Sequence, residues 1–358
     1  MVSSSQSTEK PVTISVDVMS GDLGPEHAIR GAAQATLETP YNILLVGNER
    51  IIKGVLEDAP HNPNQIEILH APLIISMEDD PKEAVELKTQ SSLFIAVKAA
   101  AEKRCDGVVS AGNTGAYILV CSKLIPRLPG VKKTALGAVY PTSNKTPSGD
   151  RFALLLDVGT TIRCTTEELV QFALMGNAYA RKISKVERPS IALLNIGVEP
   201  HKGGEIMVRT HRYLAELPGI HFIGNVEGSD LPIGLADVVV CEGFVGNVAL
   251  KLAEGLQNVL KHLGKEAFKQ RFIWKLGILM LAGGLKQLKR ETDYSEYGGA
   301  PILGYERIAI KAHGKSNTKA FMNAIKVAGK AIRGNVSEEI KSSIEEFAQR
   351  YPVERAGH

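Results

Sequence analysis

From residue 12 to about 335, short apolar runs alternate with longer amphipathic stretches, a rhythm that suits a sheet covered by helices on both of its faces. Residues 12–18, 42–46, 107–110, 152–157, 190–195, 236–241 and 307–311 read as strands. The predicted fold is therefore α/β, a three-layer arrangement with a central sheet. With 358 residues, 44% of them apolar, the chain can bury a substantial core. Its 34 glycines and 5% aromatics suit many tight strand-to-helix turns better than an aromatic-rich sandwich. No linker divides the middle. The expected organisation is a disordered tail over 1–11, one α/β domain with two lobes over 12–335, and a terminal helix and tail over 336–358. Ser337 is the expected N-cap of that helix.

Several function classes are disfavoured at once. Cys105, Cys121, Cys164 and Cys241 form no C-x-x-C pair, which argues against a zinc ribbon, a redox motif or a disulfide framework and fits a reducing, cytoplasmic setting. The polar, Ser-rich first ten residues lack the apolar core of a signal peptide, and no stretch reaches the roughly 18 apolar residues of a membrane span. A net charge of +3 advertises no nucleic-acid partner. Gly314-Lys315-Ser316 resembles the end of a P-loop, but the glycine five positions earlier is replaced by Ala309. No G-x-G-x-x-G follows the first strand, and H-E-x-x-H and G-x-S-x-G are absent.

The polar signal collects at turns: Asp17 before Ser20-Gly21-Asp22, residues 110–115, Asp157 before Gly159, Asn195 before Gly197, and residues 224–228, 242–247 and 312–317. In open parallel sheets ligands bind beyond the carboxyl ends of the strands, where glycine turns and helix N-termini present N–H groups. Asn, Ser and Thr add neutral donors there. Any one turn alone is more simply structural; together they point to a shared binding cleft. Lys311 and His313, with a helix start expected at Ser316, would hold a dianion or a developing oxyanion.

Residues 255–291 break the rhythm and read as a projecting helical hairpin without an intervening strand. Between 261 and 290 lie eight Lys or Arg and one acid, Glu266, so this segment carries +7 and leaves −4 for everything else. Trp274, the only tryptophan, stands with Ile278 and Leu279 among Lys269, Arg271 and Lys275. Such a segment reads as an interfacial membrane element or a partner-binding helix. The same pattern also fits a dimer-interface hairpin with solvated charges.

Residues 16–22 (VDVMSGD), 109–116 (VSAGNTGA), 156–159 (LDVG), 195–197 (NIG), 222–228 (FIGNVEG), 237–247 (DVVVCEGFVGN), 296–301 (EYGGAP) and 310–314 (IKAHG) closely resemble, in order, the PlsX family of bacterial phosphate acyltransferases. The resemblance implies a homodimeric fold similar to phosphotransacetylases and isocitrate-type dehydrogenases. It implies transfer of a fatty acyl group from acyl carrier protein to inorganic phosphate for phospholipid synthesis, with no cofactor and no metal. It also implies delivery of the acyl phosphate to a membrane-bound glycerol-3-phosphate acyltransferase, and hence peripheral contact with an anionic membrane. Three departures stand out: Ser20 for the family's first glycine, Thr160-Thr161 for Ala-Asn, and Val198 where an acid is usual.

Phosphate is itself a nucleophile, so direct attack on the thioester is expected. Asn113, Asn247, Lys311 and His313 would bind phosphate or polarise the carbonyl. Gly21, Ser110, Gly112, Thr114, Asn195, Asn225, Gly243, Gly246, Gly314 and Ser316 would line the substrates. Asp17 and Asp157 would orient donors, since bare carboxylates repel phosphate. A covalent route through Cys241 or Cys105 is the other possibility. The hairpin, or Lys123, Arg127, Lys132 and Lys133, would steer the acidic carrier protein. The competing functions are a phosphotransacetylase using acyl-coenzyme A and a non-catalytic membrane-associated scaffold.

Overall fold

A computed structural model describes residues 11–143, 145–146, 149, 152–270, 277, 280–281, 283–284 and 298–351, the side chains of 261 and 267–270 excepted. The chain forms two compact units, Met1–Pro126 with Arg307–Arg333, and Arg127–Glu306 with Gly334–His358.

The first unit is built on five parallel strands in the order β3-β2-β1-β4-β11: β1 (Thr13–Asp17), β2 (Asn42–Gly47), β3 (Ile66–His70), β4 (Gly107–Ser110) and β11 (Ile308–Lys311). β1, β2, β4 and β11 are buried almost throughout, as all-parallel strands covered on both faces must be. Helices α1 (Pro25–Glu38), α2 (Glu49–Glu57), α3 (Pro81–Leu87), α4 (Ser92–Ala101), α5 (Thr114–Leu124) and α9 (Thr318–Arg333) connect and cover them. Alternation along β1 fixes the layers. The Ser15 hydroxyl donates to the Ala96 carbonyl of α4 at 2.8 Å. Ile14 pairs with Gly107, whose missing side chain leaves room for Ile332 of α9 on the other face. Gly31 lets α1 close on α9, where a Cβ would come within 2.6 Å of the Thr318 carbonyl oxygen.

The second unit has a mixed sheet in the order β10-β5-β6-β9-β7-β8: β5 (Ala135–Pro141), β6 (Phe152–Leu156), β7 (Ser190–Leu194), β8 (His221–Val226), β9 (Val238–Val240) and β10 (Ala300–Leu303). β5 runs antiparallel to β6 and β10, and the remaining pairs are parallel. α6 (Thr166–Tyr179), α7 (Gly204–Glu216), α8 (Gly243–Gln270) and α10 (Val336–Arg350) complete it. A capping box opens α6: Thr165 accepts from the Glu168 N–H while Glu168 accepts from the Thr165 N–H. Gly176 brings that helix onto Val238 of β9.

All seven predicted strands are present, and four more went unread. β3 is a short, half-exposed edge; β5 contains Gly137 and ends on Pro141; β10 carries Pro301. β8 includes Gly224 and Asn225, read from sequence as a turn. There the pairing with β7 slips by one residue, and Gly224 absorbs the bulge at φ +103°. Residues 243–247 belong to α8, which runs unbroken to Gln270, so the helix begins well before the hairpin expected at 255. Asn335, at φ +52°, holds the N-cap position of α10, and the Ser337 hydroxyl instead donates to the Tyr305 carbonyl.

Candidate active site

In the first unit, strands β1, β4 and β11 lie side by side, and register places Asp17, Ser110 and Lys311 in one row across them. Paired residues of parallel strands project to the same face. The Ser110 hydroxyl donates to Asp17 Oδ2 at 2.7 Å and accepts the Gly112 N–H at 3.0 Å. Asp17 Oδ1 takes the Met19 N–H at 3.3 Å. Asp17 is fully buried; it orients its own turn and the next one. Lys311 is 7% exposed, and its Nζ donates to the Ala312 carbonyl at 2.5 Å. The row therefore sets a buried ammonium and a buried carboxylate on either side of a hydroxyl.

The three turns beyond these strands touch one another. Gly21, at φ +119°, lies against Ala111 and the Gly314 carbonyl. The Asp22 N–H donates to that carbonyl at 2.8 Å, and the Ala312 N–H donates to the Ser110 carbonyl at 2.9 Å. A Cβ on Gly112 would meet Ser20, and one on Gly314 would meet the Asp22 carboxylate at 2.8 Å. From these turns start α1, α5 and α9, so three helix N-termini share one edge of the unit. Asn113 caps α5, its Oδ1 accepting the Ala116 N–H, while its Nδ2 donates to the carbonyls of Met77 and Asp79. Lys88 bonds Asp79 at 2.5 Å and holds its carboxyl below the usual range, which ties down the same loop. Thr114 is exposed on the first turn of α5.

His313 is exposed at the mouth of the third turn. Its Nδ1 accepts the Lys315 N–H at 3.0 Å, so the neutral ring carries its proton on Nε2 and presents a donor there. Ser316 is buried, with its N–H on the His313 carbonyl. α9 begins at Thr318, two residues later than expected, because Asn317 supplies the cap to the Ala320 N–H.

The second unit gathers Asp157, Gly243 and Gly246 in a different way. Asp157 Oδ1 accepts N–H groups of Leu136, Gly159 and Thr160, and Oδ2 accepts the Thr160 hydroxyl at 2.7 Å and the Thr161 hydroxyl at 2.8 Å. Thr161 in turn accepts the Gly243 N–H at 2.8 Å. The glycines permit this contact. A Cβ on Gly246 would lie 1.9 Å from the Asp157 carbonyl oxygen. Asn247 is exposed on α8. Asn195 and Asn225 serve the 195–203 loop: their Nδ2 groups donate to the Lys202 and Glu199 carbonyls, and His211 Nδ1 lies 3.0 Å from Asn225 Oδ1. Val198 in that loop is exposed.

Cys105 and Cys241 are each 1% exposed. Burial pushes the Cys105 and Cys164 thiols up to about 11, and burial beside Asp157 raises Cys241 well above its ordinary value. These are poor nucleophiles at neutral pH. Among the described residues no group of three or more His, Cys, Asp or Glu is placed to hold a metal ion, and no helix is long and apolar enough to cross a membrane. Arg271, Trp274, Lys275, Ile278 and Leu279 lie outside the described residues, as does the Lys269 side chain; Met280 and Leu281 are exposed.

Sequence comparison matches residues 12–339 to the family described as "Fatty acid synthesis protein". A phosphate acyltransferase of Dictyoglomus turgidum is 42% identical over 338 residues, covering 94% of this chain and 99% of that protein. One from Brevibacillus brevis is 42% identical over 334 residues, covering 93% and 97%. Among solved structures, a phosphotransacetylase from Streptococcus pyogenes aligns with TM-score 0.61 at 14% identity, over 90% of this chain and 94% of that one. A branched-chain phosphotransacylase from Enterococcus faecalis V583 aligns with TM-score 0.52 at 16% identity, over 90% and 99%. At such identities these two likenesses concern the fold alone.

Proposed function

Because the chain belongs to the fatty acid synthesis protein family, the phosphate acyltransferases, we propose that its first unit holds inorganic phosphate for attack on a fatty acyl thioester carried by acyl carrier protein. The observation that carries this reading is the buried row Asp17-Ser110-Lys311, with His313 just beyond it, at the start of three helices. Helix N-termini and the ammonium favour an anion, and the Nε2–H of His313 supplies a neutral donor. Asp17 keeps the Ser110 hydroxyl oriented.

In the reaction a phosphate oxygen forms a bond to the carbonyl carbon, the carbonyl oxygen becomes an oxyanion, and the carbon–sulfur bond then breaks. The thiolate leaves with the carrier and takes up the proton released by phosphate. Donors that strengthen on the oxyanion accelerate this step, each by a few kcal/mol. The four cysteines are buried, and burial raises each thiol above its ordinary value, which supports direct attack over an acyl-enzyme.

The acyl phosphate then serves phospholipid synthesis through a membrane-bound glycerol-3-phosphate acyltransferase, and the basic apolar segment around Trp274 provides peripheral contact with an anionic membrane from the cytoplasmic side. The working form is a homodimer, a reading supported by the exposed apolar face of α8. Lys311→Ala and His313→Ala are each expected to lower kcat/KM for acyl phosphate formation by about 100-fold, roughly 3 kcal/mol. Near-normal turnover in both folded variants would overturn the assignment. The same assay with acyl-coenzyme A as donor at equal concentration discriminates the phosphotransacetylase alternative, and phosphate-dependent loss of acyl-carrier protein rejects a scaffold.

A further inference from the structure

Ser20 follows the first strand and is 3% exposed, and its hydroxyl has no hydrogen-bond partner among the described residues. Its neighbours are all engaged. Ser110 is paired to Asp17 and Gly112, and the Asp22 N–H to Gly314. Ser20 Oγ instead lies against the bare Gly112, within 3.0 Å of where a Cβ would stand. A buried, unpaired hydroxyl lowers stability, and glycine at this position would avoid the penalty altogether. Ser20 is also one of the chain's departures from the sequence pattern it resembles, which has glycine there. A hydroxyl retained in so unfavourable a place implies a partner that arrives from outside the chain.

The surroundings specify that partner. Ser20 stands where the β1–α1, β4–α5 and β11–α9 turns touch, beside three helix N-termini and the strand-end row that contains Lys311. These groups favour an oxygen bearing negative charge. Asp22 sits near Gly314 and Asp17 is bound to Ser110. Both carboxylates repel a dianion at close range, and a neutral hydroxyl adds a donor there without adding to that repulsion. We propose that Ser20 is a phosphate-binding residue, turning its hydroxyl about χ1 from the Gly112 wall to donate to a phosphate oxygen. A single-bond rotation between staggered rotamers is a small change for serine. Gly21, at φ +119°, follows it directly and imposes no side chain on the path.

This proposal rests on the phosphate reading above and is tested separately from it. Inorganic phosphate is titrated calorimetrically into the full chain without acyl donor, and KM for phosphate and for acyl-carrier protein is measured in wild type, Ser20→Ala and Ser20→Gly. Both variants are expected to weaken phosphate binding and raise its KM about tenfold. KM for the donor should stay within about twofold, and the thermal midpoint should be equal or higher because an unpaired hydroxyl has gone. Unchanged phosphate affinity in both variants, or a loss confined to the acyl donor, overturns the proposal. A wild type that binds phosphate through Ser20 yet makes no acyl phosphate would sustain the Ser20 site and sink the catalytic reading instead.

Discussion

Asp157 accepts hydrogen bonds from six groups, the N–H groups of Leu136, Gly159, Thr160 and Thr161 and the hydroxyls of Thr160 and Thr161. A carboxylate offers about four lone-pair sites, so nothing is left over for a substrate, and this residue shapes its turn. The two threonines that depart from the family pattern are the residues that saturate it. Thr161→Val removes a donor to Asp157 and strands the Gly243 N–H. A loss of about 2 kcal/mol, read from the urea midpoint, is expected, and Thr161→Ser should recover most of it. That role was invisible in sequence, where Thr160-Thr161 registered only as a departure, because the partner N–H at Gly243 is 82 residues away. Ser20 was legible in the same limited way. The placement of Lys311 and His313 at a strand end, by contrast, was readable from local order, and β11 does end on Lys311 with His313 two residues beyond; the roles given to them belong to the proposal.

The strands that sequence disclosed are those whose contacts cover both faces. β2, β4, β6, β7, β9 and β11 are short, mostly apolar runs, and β1 alternates apolar with polar residues over Thr13–Asp17. β3, β5, β8 and β10 escaped because an edge position, a glycine bulge or a proline broke the pattern while backbone pairing, a non-local property, preserved the strand. Helix α8 shows the converse. Its Val248, Leu252, Leu256, Val259 and Leu263 recur at steps of three and four and are 52–72% exposed. A seam of that spacing is what a second helix requires. Leu252→Glu with Leu256→Glu is expected to convert the proposed dimer to monomer in sedimentation velocity while circular dichroism stays unchanged. A variant that sediments like wild type would place the interface elsewhere.

For the molecule as a whole, the charge of +3 is a cancellation between +7 over residues 261–290 and −4 over the remainder. The two parts should respond oppositely to an anionic surface, and salt should weaken the attraction over a Debye length of about 8 Å at physiological ionic strength. Trp274→Ser, Ile278→Ser and Leu279→Ser combined are expected to reduce cosedimentation with phosphatidylglycerol vesicles by about tenfold, with turnover of soluble donor retained. Undiminished binding would exclude this segment as the anchor.

The division of the chain carries one more consequence. The first unit comprises the opening 126 residues plus 307–333, and the second contains both the middle and the last stretch. Strand β4 of the first unit gains its neighbour β11 only when residues near 310 have been made. Vectorial synthesis thus leaves a long interval in which β1 already has both of its neighbours but β4 exists with one edge unpaired, during which the nascent chain is most exposed to misassociation and to chaperone capture. Neither unit can finish folding before the stretch of its partner that interrupts it has been made, so the first is completed only after Arg333 and the second only once the residues that follow it have been added.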